Sequence, residues 1–127
     1  MRFLIDTHAL IWYLDGNDKL PNKIRDLIND DHNLVIISIA SLWELAIKIS
    51  LKKIETKNNL PDIQAYIMER EFTILNISFK HLNALSALTT HHGDPFDRLL
   101  IVQALTEDLT VLSADKQFQA YPVRVTW

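Results

Sequence analysis

Short apolar runs alternate with helix-patterned segments along the whole chain, and this alternation limits the fold more than any other feature. Phe3-Leu4-Ile5 stops at Asp6, and residues 8–14 follow as a helix with Asp6 or Thr7 at its cap. Asp15-Gly16-Asn17-Asp18 is a turn, and Pro21 opens a helix over 22–29 whose Ile24, Leu27 and Ile28 share one face. The β-branched, uninterrupted run at 34–37 has the character of a buried parallel strand. Further helices are expected over 38–51, 61–70, 80–88 and 95–107, with a short one at 115–120. The remaining strands are expected at 72–77, 110–112 and 123–125. Five strands separated by helices predict an α/β fold, a parallel sheet covered on both faces in a three-layer α/β/α sandwich.

With 127 residues, only two glycines and four prolines, and no repeat or linker, the chain is expected to form one domain over 1–127. A hydrophobic fraction of 48% and a charged fraction of 23% exclude a disordered tail and a coiled-coil rod. There is no cysteine, which excludes disulfide scaffolds, zinc ribbons and thiol catalysis. Any metal site must therefore use carboxylate oxygens or histidine nitrogens. The opening MRFLIDTHALIWYLDG has one basic residue, an apolar stretch broken by Asp6, Thr7 and His8, and no small-residue cleavage site. A cytoplasmic protein without membrane contact is the expectation. A net charge of −3 argues, at first, against a nucleic-acid binder.

Four acids lie where acids are not simply solvated. Asp6 and Asp115 each follow a strand, at the sheet edge where open α/β folds bind ligands; each is also suited to cap the helix after it. Glu44 lies in Leu42-Trp43-Glu44-Leu45-Ala46-Ile47-Lys48-Ile49, apolar on nearly every side. It heads one narrow polar stripe, Glu44, Lys48 and Lys52, which reads either as an exposed ladder or as a buried helix turning its polar residues to a cleft. In Asp94-Pro95-Phe96-Asp97-Arg98, Asp94 is assigned the helix cap and Pro95 the first helical position. Asp97, favoured in the first turn by the helix dipole, is a site candidate.

Acids that met in space would repel one another unless a cation compensated. With no cysteine and no paired-histidine helix motif, a hard ion with oxygen ligands, Mg²⁺ or Mn²⁺, is the natural remedy. A carboxylate cluster holding such an ion at a sheet edge suits phosphodiester hydrolysis by two-metal-type catalysis.

The segments FLIDTHALIWYL, ISIASLWELAIKISLKKI, HHGDPFDRLLIVQAL and VLSADKQFQAYPVRVTW, taken in order, resemble the PIN-domain ribonucleases of the VapC toxin type, from bacterial toxin–antitoxin pairs. The resemblance runs essentially end to end. It implies a five-stranded sheet of order 3-2-1-4-5, with strands 1 and 4 adjacent. By this likeness Asp6, Glu44 and Asp97 are the principal metal-site acids and Asp115 a fourth. The implied activity is Mg²⁺- or Mn²⁺-dependent endoribonuclease cleavage leaving 5′-phosphate and 3′-hydroxyl ends. The implied partners are an RNA substrate, a cognate antitoxin that blocks the site, and a second copy in a homodimer. Many relatives carry glycine after the third helix, where this chain has Lys52-Lys53.

Supporting roles fall to Thr7, able to hold a metal-bound water or cap the helix, to Asp94 as cap, and to Arg98, as partner of a site acid or of phosphate. Lys48, Lys52, Lys53 and Lys57 form either a solvated face or a phosphate-guiding flank. His91 and His92 are expected in an exposed loop, with a metal-ligand or general-acid role as the alternative. Trp12, Tyr13, Trp43 and Phe96 are expected in core or interface rather than as base-stacking platforms.

Two rival classes, a signalling domain and a phosphatase, fit poorly. A receiver domain needs an acidic pair after strand one and an acceptor Asp after strand three; here Asp6 precedes Thr7, and the later strand ends Asn76-Ile77-Ser78. A haloacid-dehalogenase-type phosphatase needs a second acid where His8 stands. The alternative of another class is a non-catalytic PIN-like module acting through protein partners. Setting the four candidate acids aside raises the formal charge of the rest from −3 to +1, so modest acidity does not exclude RNA.

Overall fold

The computed structural model describes residues 1–90 and 93–127. Its middle strand, β1 (Arg2–Ile5), has neighbours on both sides, β2 (Leu34–Ser38) and β4 (Thr110–Leu112). With β3 (Thr73–Leu75) and β5 (Val125–Thr126) at the edges, the order is β3-β2-β1-β4-β5 and every pairing is parallel. The chain runs outward from β1 to β3, then returns to β4 beside β1. That reversal falls at the carboxyl ends of β1 and β4, the usual place for a ligand crevice in an open α/β sheet.

Alternation along β1 divides the interior. Phe3 and Ile5 pack with Ala9 and Leu10 of α1 (Thr7–Asp15), Ile24 and Ile28 of α2 (Asn22–Asn29), Leu45 of α3 (Ile39–Ser50) and Ile63 and Ile67 of α4 (Leu60–Glu69). Leu4 points the other way, onto Leu100, Ile101 and Ala104 of α6 (Pro95–Glu107) and onto Phe118. Side chains two residues apart on a strand share a face, so one tripeptide anchors both helical layers. Ala40, Leu99 and Val102 form a smaller cluster with Ala84 and Leu85 of α5 (Phe79–Ala87). The three-layer α/β/α sandwich and the sheet order agree with expectation.

The helices over Asn22–Asn29 and Pro95–Glu107 and the strand Thr110–Leu112 have the expected limits; several other boundaries move for physical reasons. The strand expected at 72–77 contracts to Thr73–Leu75, since it is an edge strand that pairs with β2 only from Ile36 to Ser38. The last strand shifts to Val125–Thr126 because Val111 and Leu112 pair there, not at Val123. The helix expected at 115–120 is a 3₁₀ turn over Lys116–Ala120 with Asp115 as its cap. α3 ends at Ser50, and Lys52 adopts φ 54°, the left-handed region that glycine enters without penalty. The polar stripe Glu44–Lys48–Lys52 is therefore broken before its third member. Among the described residues no helix is long and apolar enough to cross a membrane.

Candidate active site

The crevice is built from strand ends and helix starts. At the end of β1, Asp6 takes an extended backbone and caps α1, its Oδ1 accepting from Ala9 N–H at 2.8 Å. Its other oxygen, Oδ2, accepts a hydrogen bond from the Ser113 hydroxyl at the end of β4. Asp6 N–H donates to the Leu112 carbonyl at 3.1 Å, so the carboxylate is fixed to both central strands. Ser113 Oγ also accepts from Asp115 N–H at 3.0 Å, while Asp115 Oδ1 caps the 3₁₀ turn through Gln117 N–H at 2.9 Å. One serine hydroxyl thus links the Asp6 carboxylate to the Asp115 backbone.

On the helical side, Glu44 is only 5% exposed. Its two oxygens are engaged separately: Oε1 accepts from the Thr7 hydroxyl at 2.6 Å, and Oε2 lies 2.8 Å from the Lys48 ammonium. Thr7 hence supports Glu44 directly, from the residue next to Asp6. Asp94 caps α6, accepting from Phe96 N–H at 2.9 Å and Asp97 N–H at 3.0 Å. That cap leaves the Asp97 side chain half-buried in the first turn.

Electrostatics tie the four acids together. Burial, followed by the negative charges of Asp94, Asp115, Glu44 and Asp6, pushes the Asp97 carboxyl up to about 7. Burial also raises Asp6 above the ordinary carboxylate range. The hydrogen bonds from Ser113 and Ala9 and the nearby His8 draw it back, and the Asp115 charge adds to the rise. Asp97 therefore feels the charges of Asp6, Glu44 and Asp115, and Asp6 feels that of Asp115, across long stretches of sequence. Among the described residues no three acids or histidines are gathered into a finished metal-ligand group.

This crevice belongs to a fold whose sequence pattern is defined: the PIN-domain family model matches residues 3–123. The chain belongs to the PIN-domain family. Solved structures agree on the fold. A chain of the VapBC2 complex of Rickettsia felis, bound to a DNA fragment from its promoter, is 20% identical with a TM-score of 0.74, covering 100% of this chain and 99% of that one. A chain of VapBC-1 from nontypeable Haemophilus influenzae is 15% identical with a TM-score of 0.73, covering 99% and 97%. A chain of a toxin–antitoxin complex from Klebsiella pneumoniae is 19% identical with a TM-score of 0.65, covering 98% and 95%. No curated protein matches the sequence.

In this PIN domain the other candidates have distinct placements. Arg98 turns away from the acids, Nη2 donating to the Leu88 carbonyl at 3.3 Å, and its buried Nε has no hydrogen-bond partner among the described residues. Lys48 is the cation paired with a site acid, whereas Lys52 and Lys53 are exposed on the turn after α3. Lys57 is drawn to the end of α1, where its Nζ donates to the Asp15 carbonyl at 3.4 Å. Tyr13 is core and Trp12 half-buried, packed against Trp127. Trp43 is 54% exposed and meets Phe96 edge-on at 5.0 Å, outside the core. His91 and His92 lie outside the described residues.

Sequence reasoning passed over Ser113, the hydroxyl between Asp6 and Asp115, and the buried polar trio Ser38, His81 and Gln103. The signal for Gln103 was present: it is the one polar residue in Leu99-Leu100-Ile101-Val102-Gln103-Ala104.

Proposed function

We propose that this PIN domain is a divalent-metal-dependent endoribonuclease, the VapC-type toxin of a toxin–antitoxin pair. The observation that carries the reading is Asp97, whose carboxyl is held near 7 by burial and by three other acids of the crevice together with its neighbour Asp94. A protein that gathers carboxylates at a ligand-binding edge so that their charge raises Asp97 accepts an instability that a bound cation relieves.

The donor set fits a hard ion. All four groups are carboxylates, and the repulsion felt by Asp97 is what added positive charge removes. Asp6, Glu44, Asp97 and Asp115 would hold Mg²⁺ or Mn²⁺. Such an ion, when bound, supplies charge neutralisation at the phosphodiester and an activated water. The chain's own residues do the rest. Ser113 and Ala9 N–H orient Asp6, Thr7 orients Glu44, and Lys48 balances Glu44's charge. In the metal-free site Asp97, near 7, is able to take up a proton at neutral pH. Lys48, Lys52 and Lys53 form the positive flank for the RNA backbone. The products would carry 5′-phosphate and 3′-hydroxyl ends, and residues 1–127 would act as a single PIN domain, cytoplasmic and homodimeric. An antitoxin partner is supported by the VapBC and toxin–antitoxin neighbours.

The test is to express the chain without a partner and map new RNA 5′ ends across the transcriptome, then repeat cleavage in vitro with Mg²⁺ and with EDTA. Discrete 5′-phosphate ends, growth arrest and loss of cleavage in EDTA are expected. Undiminished cleavage in EDTA, or products ending in 2′,3′-cyclic phosphate, would overturn the metal mechanism. Absence of both growth effect and cleavage would favour a non-catalytic binding module.

A further inference from the structure

Glu44 and Asp97 reach the crevice on different helices, so their separation depends on how α3 and α6 are registered. The apolar contact between them, Ala40 with Leu99 and Val102, is non-directional and does not by itself choose one register. One polar side chain does. Gln103 is 0% exposed, surrounded on α6 by buried Leu100, Ile101, Val102 and Ala104. Its Oε1 accepts from the Ser38 hydroxyl, and that same hydroxyl accepts from Ala40 N–H at 3.0 Å, capping α3. Its Nε2 donates to the Asn76 carbonyl at 3.4 Å, beyond the end of β3, and lies 3.4 Å from Nδ1 of His81 on α5.

His81 completes the arrangement. It is 1% exposed, and its Nδ1 accepts from Ser78 N–H at 3.1 Å, so the ring proton resides on Nε2. That nitrogen donates to Glu107 Oε1 at 3.2 Å, one turn beyond Gln103 on α6. Slipping α6 against α3 would leave the glutamine amide and the Ser38 hydroxyl buried without partners, which a packed interior strongly disfavours.

From this geometry we infer that Gln103 is a positioning residue, bolting the helix that carries Asp97 to the cap of the helix that carries Glu44. It acts at a distance from the acids, through Ser38, and touches neither substrate nor metal. The inference rests on the nuclease reading for its consequence, but the register itself is measurable without metal or RNA.

The absence of cysteine allows clean spin labelling at Ser50→Cys on α3 and Leu105→Cys on α6. A single narrow distance distribution is expected in the otherwise wild-type protein, broadened or shifted in Gln103→Met and, as a second route, in Ser38→Ala. Val102→Ala, which loosens the same contact without removing a hydrogen bond, should keep the wild-type distance. Mn²⁺ affinity, read by titration, should fall about 10-fold or more in Gln103→Met and stay near wild type in Val102→Ala. An unchanged distance distribution in both folded polar variants, or equal broadening in Val102→Ala, overturns the inference. Broadening in the polar variants of a protein that binds no Mn²⁺ and cuts no RNA leaves the bolt standing and overturns the nuclease reading instead.

Discussion

Asp6 and Asp97 carry the same functional group at one sheet edge, yet the molecule holds them by opposite means. Asp6 sits where β1 ends, with one oxygen on the backbone of α1 and the other on Ser113 of the adjacent strand end. Asp97 depends on the placement of a whole helix, and the neighbouring acids add to its burden rather than relieve it. Asp6 is held by hydrogen bonds on the strand side; Asp97, on the helical side, is left with charge to be answered. The contrast teaches that convergence of acids and stabilisation of acids are separate achievements, and that only the first is complete in the protein alone.

The largest expected effect erases the contrast. Asp6→Asn and Asp97→Asn should each lower Mg²⁺-dependent RNA cleavage by about 10²–10³-fold or more while leaving the circular dichroism spectrum unchanged. Retained cleavage in either variant would separate that acid from the chemistry.

Ser113→Ala probes the strand side alone. It removes the donor to buried Asp6 and the acceptor for Asp115 N–H, so destabilisation of about 1–3 kcal/mol is expected by denaturant titration. Thr7→Val, on the helical side, should be milder, about 1 kcal/mol, because Glu44 keeps Lys48. Equal losses would mean that the two sides are equally dependent on their hydroxyls.

Acidity sharpens the helical side. The Asp97 pKa rises from 3.8 to about 7 on folding, so between these values the native state binds more protons than the unfolded chain. Stability of the metal-free protein should therefore be greatest below about pH 4 as far as this group is concerned, and decline as pH climbs through about 7. Asp6, also raised, acts in the same direction. Solvent screening at the half-exposed Asp97 holds its share to about 1–2 kcal/mol. Asp97→Asn should flatten the decline in urea melts, and Mg²⁺ should restore the wild type above pH 7; a decline of equal size in the variant would assign it elsewhere.

The smallest effect lies beyond both sides, after α3. Lys52 holds φ 54°, so Lys52→Gly should stabilise by up to about 1 kcal/mol, visible as a small rise in melting temperature. No gain would show that the lysine side chain offsets its backbone strain.

Much of this was legible in the sequence, though unevenly. α2 and α6 have the limits that periodicity and the Asp94-Pro95 cap indicated, and Asp94 caps as expected. Edge strands were misjudged, because their length is set by the partner strand rather than by their own residues. The sheet order came from resemblance to PIN domains, and the observed pairing agrees with it. Thr7 was expected to hold a metal-bound water or to cap α1; Asp6 makes that cap, and the Thr7 hydroxyl goes to Glu44, a partner that spacing does not reveal. Arg98 was expected to pair with a site acid or with phosphate; its Nη2 donates to the Leu88 carbonyl, a contact that spacing does not reveal.

By itself, then, the sequence determined what short windows encode: the alternation of strand and helix, the caps, the lack of sulfur ligands, and the acids placed at strand ends and helix starts. These follow from backbone sterics and hydrogen bonds between residues a few positions apart. Tertiary structure alone decided which hydroxyl holds which carboxylate, how far Asp97 is raised, and which buried amide registers α3 against α6. Those outcomes belong to pairs such as Thr7 with Glu44 and Ser38 with Gln103, brought together by sheet order and burial, and no local window contains both members.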